Sequence, residues 1–140
     1  MPIRASMLFL CLALVGCMPF RYYPLPVGAA EARATFAPIA TAANGLGYTY
    51  HQWPDRVIVE PDAHTRIDYM FDASGNYAMC VMIKDKNPPG GVDQAFAEGK
   101  AKGDDVWNRA MALRQTTAGA PLAAAPPPPP APTFQLNITH

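Results

Sequence analysis

The chain has 140 residues, 11 of them basic and 11 acidic, so its formal net charge is zero at pH 7. This balance argues against a nucleic-acid-binding protein and against strong electrostatic attraction to anionic lipid, because both need an excess of positive charge. Half of the residues are hydrophobic and 10% are aromatic, which suffices for a packed core. We therefore expect a folded domain whose partner is not a nucleic acid.

The N-terminal segment has the pattern of a secretory signal peptide. Arg4 is the only charged residue before position 21, and residues 7–15 form an apolar run. A positive start followed by a short apolar run is typical of such peptides. The run is too short for a membrane-spanning helix, which needs about 20 apolar residues. Residues 1–16 are therefore predicted to be removed on export.

The apolar run ends in Leu14-Val15-Gly16-Cys17, which resembles the lipobox of bacterial lipoproteins. The resemblance covers the signal region alone. It implies cleavage after Gly16 and attachment of acyl chains such as palmitate to Cys17, and two or more chains anchor a protein stably on a membrane. In such lipoproteins an Asp after the lipid-bearing Cys often causes retention at the inner membrane. Met18 in that position implies the outer membrane, facing the periplasm. The alternatives are an ordinary secretory peptide with a coincidental cysteine and a cytosolic protein with an apolar start.

Residues 17–28 contain three prolines and are predicted to form an extended tether. The aromatic residues Phe20, Tyr22 and Tyr23 lie in this segment. Aromatic rings with a polar tip favour the membrane interface. The sequence leaves two alternatives open, since these rings either lie in the interface beside the lipid or pack on the domain.

Residues 29–117 are predicted to form one α+β domain. A helix is expected over residues 29–44, because apolar residues recur there at three- and four-residue spacing. Pro38 either lies in the first turn of a short helix that begins near Thr35 or kinks a longer helix. Short connections between the strand-like runs favour an antiparallel meander. These four runs are residues 48–53, 56–60, 65–72 and 77–84. The fourth run is apolar on both faces, which suits an inner strand.

A second helix is predicted over residues 92–115, which completes the order α-β-β-β-β-α. Gly99 and Gly103 share one stripe of this helix with its apolar residues, so we expect the helix to approach another element closely there. Glycine in a helix interior costs about 1 kcal/mol relative to Ala. The predicted core residues are Phe36, Ile39, Ile67, Tyr69, Phe71, Val106, Ala110 and Leu113.

The C-terminal region changes in composition. Residues 118–132 are rich in Pro and Ala and are predicted to be a stiff linker. Residues 133–140 alternate in the manner of a strand, with Phe134, Leu136 and Ile138 on one side. Three interpretations stay open for this tail: it adds as a strand to the sheet of a partner, it folds back onto its own sheet, or it is a disordered end.

The sequence contains no catalytic, cofactor-binding or metal-ligating motif. Cys80 is the one cysteine expected to remain unmodified after export, and its apolar surroundings indicate a buried thiol. His51 and His64 lack the partners of a metal site. A hydrolase site formed by His51, Asp68 and Ser74 has no more support than any such trio in a chain of this length.

Three functions are therefore compared. We favour a non-enzymatic adaptor of the cell envelope that presents its sheet or tail to another envelope protein. The second is binding of a small apolar ligand or lipid between helix and sheet, near Tyr50, Trp53, Met79 and Trp107. The third is an envelope hydrolase. A deep apolar pocket would favour the ligand, and a cleft with a hydrogen-bonded His–carboxylate pair would favour the enzyme.

Overall fold

The computed structural model describes residues 18–119, which form a five-stranded antiparallel sheet with helices on one face. The signal peptide, Cys17 and residues 120–140 lie outside the described residues, and with them the tail residues Phe134, Leu136 and Ile138. The strands are β1 (Phe20–Pro24), β2 (Thr49–Gln52), β3 (Arg56–Glu60), β4 (Thr65–Phe71) and β5 (Tyr77–Ile83). Their order across the sheet is β1-β5-β4-β3-β2.

The α+β class and the antiparallel meander from β2 to β5 are confirmed. The bounds of β3 agree with the prediction, and those of the other three strands are one or two residues shorter. The reason is local. The alternation of apolar and polar residues determines where β4 lies, and the short turns make each strand pair with the next one along the chain. Gly75, in the turn before β5, has a φ of 80°, which glycine adopts without strain.

The prediction of four strands is wrong, and so is the predicted element order. Residues 20–24, assigned to a tether, form β1 and pair with β5 along its whole length. Within residues 18–119 a strand therefore comes before any helix. Prolines are tolerated here because β1 is an edge strand, and Pro24 is its last residue. The added strand also makes β5 an inner strand, which agrees with its apolar residues on both faces.

The N-terminal helical segment is interrupted at one point. It consists of α1 (Ala29–Ala32), a 3-10 turn (Arg33–Thr35) and α2 (Phe36–Gly45). Pro38 lies in the first turn of α2, where a missing N–H does little harm. Thr35 closes the 3-10 turn by donating its hydroxyl to the Ala32 carbonyl at 2.6 Å, and its Oγ1 lies 2.6 Å from the Tyr77 hydroxyl oxygen. Both alternatives considered for Pro38 thus hold in part.

The long helix α3 (Val92–Gly119) packs along β5 and α2. It runs past the predicted end at Gln115 and past the predicted domain boundary at Thr117, so the first two residues assigned to the linker belong to the helix. The predicted close approach is confirmed. A Cβ on Gly99 would lie 2.6 Å from Cγ1 of Val81, and a Cβ on Gly103 would overlap the sulfur of Met79.

The core lies between the sheet and the helices. Of the predicted core residues all are buried except Phe71, which is partly buried against the core, and Leu113. Leu113 is 37% exposed, so its assignment to the core was wrong. It lines a surface groove together with Thr41 and Ala42 of α2.

Candidate functional site

The first three described residues connect directly to the sheet. The Ile83 N–H donates to the Pro19 carbonyl oxygen at 3.0 Å, so the hydrogen-bonded ladder begins only two residues after Cys17. Strand alternation then divides the aromatic residues of β1. Tyr23 packs against the core, whereas Phe20 and Tyr22 lie on the opposite face and are 55% and 44% exposed. Tyr23 therefore packs on the domain, and a position of Phe20 and Tyr22 in a membrane interface stays a prediction.

The sheet face away from the helices has no layer over it among residues 18–119. We call it the open face. The pairing register places one residue of each strand in a row across it: Tyr22, Cys80, Asp68, Ile58 and His51. The side of this face formed by β1 and β5 is apolar, with Phe20 opposite Met82. The side formed by β4 and β3 is charged.

Asp68 is the centre of the charged half and is fully buried. Arg66 holds its carboxylate through two parallel hydrogen bonds of 2.7 and 2.8 Å, and Arg56 lies 3.8 Å away. The ion pair with Asp68 raises the pKa of Arg66. Ile58 on β3 lies between Asp68 and His51 in this row, so two strand spacings of roughly 4.8 Å separate the carboxylate from the histidine. Ser74 lies in the turn after β4, so the structure does not assemble the considered trio of His51, Asp68 and Ser74.

Cys80 is 1% exposed and lies on the apolar half of the open face. Burial raises the pKa of its thiol to about 11, with the nearby Asp68 carboxylate adding to the shift. A thiol with this pKa is almost wholly protonated at neutral pH and is a poor nucleophile. The expected buried thiol is confirmed.

A second site lies at the end of the sheet where β4 begins and β5 ends. His64 Nδ1 is 2.6 Å from Asp85 Oδ2, at the mouth of a cleft of about 410 Å³. Asp62, Glu98 and Lys102 also line this cleft. This His–carboxylate pair was not predicted, although the sequence holds a clue. Antiparallel pairing of β4 with β5 brings residue 64 beside the residues that follow Ile83.

Asp62 connects the start of β4, at the cleft, with α3. Its Oδ1 accepts the N–H groups of His64 and Thr65, both at 2.8 Å, and its Oδ2 lies 2.6 Å from Lys102 Nζ. Burial by itself would raise the pKa of Asp62, but these hydrogen bonds outweigh it and lower the pKa below 3.8. Asp62 and Lys102 thus form an ion pair with each other that joins α3 to the turn before β4. His64 itself is exposed, and no serine or cysteine lines the cleft.

The four residues considered for an apolar ligand site are not brought together. Met79 and Trp107 are in the core, where Trp107 stacks on Tyr69 with ring centroids 6.4 Å apart. Tyr50 and Trp53 are exposed on and beside β2. The helix α3 packs directly on the sheet at Gly99 and Gly103, so side chains of the sheet occupy the space between the two layers there. The grooves beside α3 have volumes of about 450 and 380 Å³, and both open onto the surface.

Residues 18–119 contain no group of three or more His, Cys, Asp or Glu side chains placed to hold a metal ion. Within the same residues, no helix is both long and apolar enough to cross a membrane. Comparison of the chain with protein-family models, curated proteins and solved structures gives no match.

Proposed function

We propose that this chain is a lipid-anchored protein of the bacterial envelope, held at the outer membrane by acyl chains on Cys17. Its role in this proposal is that of a non-enzymatic adaptor, which binds another envelope protein. The lipobox-like run before Cys17 supports the anchor. Neither nucleic acid nor a cofactor has a place in this function.

The observation that carries the adaptor role is the position of the two edges of the sheet. The strand next to Cys17, β1, is at one edge, and β2 is at the other. Four strand spacings of roughly 4.8 Å separate them by about 19 Å. An anchor at β1 leaves the edge at β2 free to face away from the anchor, towards other proteins.

The β2 edge has the features of a protein-binding surface. All four residues of β2 are exposed, and no strand within residues 18–119 pairs with its outer side. An unpaired edge offers backbone donors and acceptors to an extended segment of a partner. Tyr50 and Trp53 are 37% and 55% exposed beside it, and aromatic side chains are enriched at the centres of protein interfaces.

Capture of partners by the lipidated protein tests this role. The Tyr50→Ala, Trp53→Ala double variant should lose an envelope protein that the unaltered chain captures. The control is Val92→Ala with Leu113→Ala, which removes two exposed apolar side chains elsewhere on the surface. The control should keep the partner. Equal capture by both double variants would contradict a role for the β2 edge.

The C-terminal tail is a second surface for the same role, and the proposal extends to it. Residues Phe134, Leu136 and Ile138 would supply the specificity of a strand added to a partner's sheet. Deleting residues 133–140 separates the three interpretations of the tail. Loss of a partner at unchanged melting temperature supports docking, and a lower melting temperature supports folding back. An effect on neither indicates that the tail has no ordered role.

The His64–Asp85 pair supports a hydrolase as the second candidate function, since it is the kind of His–carboxylate pair in a cleft that favours an enzyme. It ranks second because both side chains are open to solvent, His64 at 66% and Asp85 at 35%. A carboxylate on Nδ1 orients a histidine so that Nε2 can act as a general base. The hydroxyl residue that lines the cleft, Thr65, is buried, so the nucleophile would be water. A His64→Ala variant tests this candidate, since it should abolish any hydrolysis of model esters by the purified protein and leave partner capture intact. Equal hydrolysis by variant and parent would exclude it.

A further inference from the structure

The N-terminal edge of the sheet carries a cluster of exposed apolar side chains. Seven large hydrophobic side chains are exposed within residues 18–119, and three of them, Met18, Phe20 and Tyr22, fall within five consecutive residues. Phe20 and Tyr22 make an edge-to-face contact with ring centroids 5.5 Å apart. Met82 lies opposite Phe20 on β5. We call these four residues the apolar edge.

The apolar edge is not explained by the core. Alternation along β1 sends Tyr23 to the helix side, where it packs, and leaves Phe20 and Tyr22 on the open face. The cluster also ends abruptly. The next residue across the sheet from Met82 is Arg66, whose guanidinium binds the buried Asp68. Among the strand residues of the open face, the exposed large apolar side chains are thus confined to β1, the strand nearest Cys17.

Chain length determines what can cover this surface. Phe20 lies three residues after Cys17, and three extended residues span at most about 11 Å. The ladder bond from Ile83 to Pro19 leaves only the link from Cys17 through Met18 free of the sheet. If Cys17 carries acyl chains, as the proposed function states, then the backbone of Phe20 lies within about 11 Å of the backbone of the residue that bears those chains.

We propose that the apolar edge rests on the lipid bilayer, so that the domain stands on the membrane in a fixed orientation. Tyr22 lies at the level of the headgroups, where an amphipathic aromatic ring is stabilised, and the apolar side chains of Phe20 and Met18 are removed from water beside it. Among residues 18–119 no strand pairs with the outer side of β1, and unpaired backbone groups are costly in hydrocarbon, so insertion stops at the level of the headgroups. This orientation rests on the proposed anchor and places β2 away from the membrane.

The positions of the charged side chains agree with insertion to the level of the headgroups. Arg21 on β1 is 47% exposed and paired with Asp93 at 2.6 Å, and its guanidinium lies 4.3 Å from the centroid of the Phe96 ring. This side chain points to the helix side, away from the apolar edge. The charged half of the open face begins at β4 and stays in water when the sheet stands on β1.

Photocrosslinking in membranes tests the orientation. The full-length chain is expressed with benzoylphenylalanine in place of Phe20, and in a second variant in place of Tyr22. The matched control carries it in place of Tyr50, an exposed aromatic residue on the opposite edge. After irradiation, mass spectrometry measures phospholipid adducts on the protein, and the same spectra report acyl chains on Cys17. Melting temperatures of the purified variants verify their folding.

The expected result is acylated protein with phospholipid adducts at positions 20 and 22 that exceed those at position 50 several-fold. Acylated protein with adducts only to other proteins, or with equal lipid adducts at all three positions, overturns the orientation and leaves the anchor intact. Protein without acyl chains on Cys17 overturns both, because nothing then holds the apolar edge at a bilayer. The two failures are thus distinguished in one sample.

Discussion

Tyr69 on β4 donates its hydroxyl to the carbonyl oxygen of Gly103 on α3 across 2.6 Å. Both residues are buried, and the contact lies where the helix has no Cβ. A long aromatic side chain from the sheet can therefore reach the helix backbone itself. The helix and the sheet are so close at this point that no ligand fits between them. The addition or removal of a single atom there should therefore change the stability of the domain.

Gly103→Ala should destabilise the domain, because the new Cβ would overlap the sulfur of Met79. Overpacking of this kind costs roughly 1–3 kcal/mol, against which the better helix propensity of Ala returns at most about 1 kcal/mol. The control is Gly45→Ala at the end of α2, where no atom lies within 4 Å of the added Cβ. Urea unfolding of the two variants should differ in this direction. A Gly103→Ala variant as stable as the Gly45→Ala variant would show that the layers are not in close contact.

Tyr69→Phe should lower the free energy of unfolding by roughly 0.5–1.5 kcal/mol, the usual worth of one buried hydrogen bond. The ring and its stacking on Trp107 are kept, so the fold should be unchanged by circular dichroism. Tyr50→Phe removes an exposed hydroxyl from another strand and should change stability by less than about 0.5 kcal/mol. An equal effect of both substitutions would argue against the bond to Gly103.

Much of this fold could be predicted from the sequence, because the meander depends on patterns within short stretches of the chain. Alternation, short turns and one glycine determine β3, β4 and β5. The first strand was missed since Pro19, Pro24 and Pro26 suggested a tether, yet an edge strand tolerates proline at its ends. A clue was present in β5. It is apolar on both faces, and a four-stranded meander would have left it at an edge.

The candidate sites were harder to predict from the sequence, because the type of a residue does not tell whether its side chain is buried or exposed. Met79 and Trp107 resembled ligand contacts by type, but their positions on β5 and α3 direct them into the core. The His64–Asp85 pair depends on two residues 21 positions apart that only the strand pairing brings together. Phe20 and Tyr22 could be assigned to one face only once β1 was known to be a strand.

Acid should destabilise the domain in part through Asp62. Its folded-state pKa lies below 3.8, so its contribution is present above pH 3.8 and is lost as the pH falls through the lowered folded value. Asp62→Asn should cost roughly 1–2 kcal/mol at neutral pH, because the ion pair with Lys102 is lost. It should also weaken the acid dependence. Asp55→Asn alters an exposed ion pair and should cost less than about 1 kcal/mol. Identical acid unfolding curves for parent and Asp62→Asn would contradict this role.

The Cys80 thiol should resist alkylation in the folded protein. Burial raises its pKa to about 11, and the side chain is 1% exposed. Maleimide should label it only after unfolding in denaturant, and a Cys80→Ser variant should show no label in either state. Rapid labelling of the native lipidated protein at pH 7 would mean that the open face around Cys80 opens readily.

The most direct measurement of the central claim is mass spectrometry of the mature N-terminus of the protein expressed in a bacterium with labelled palmitate. We expect a first residue Cys17 that carries acyl chains and the label. The Cys17→Ser variant should incorporate no label and leave the membrane pellet. A mature chain that begins elsewhere, an unmodified Cys17, or unchanged membrane fractionation of Cys17→Ser would contradict the account.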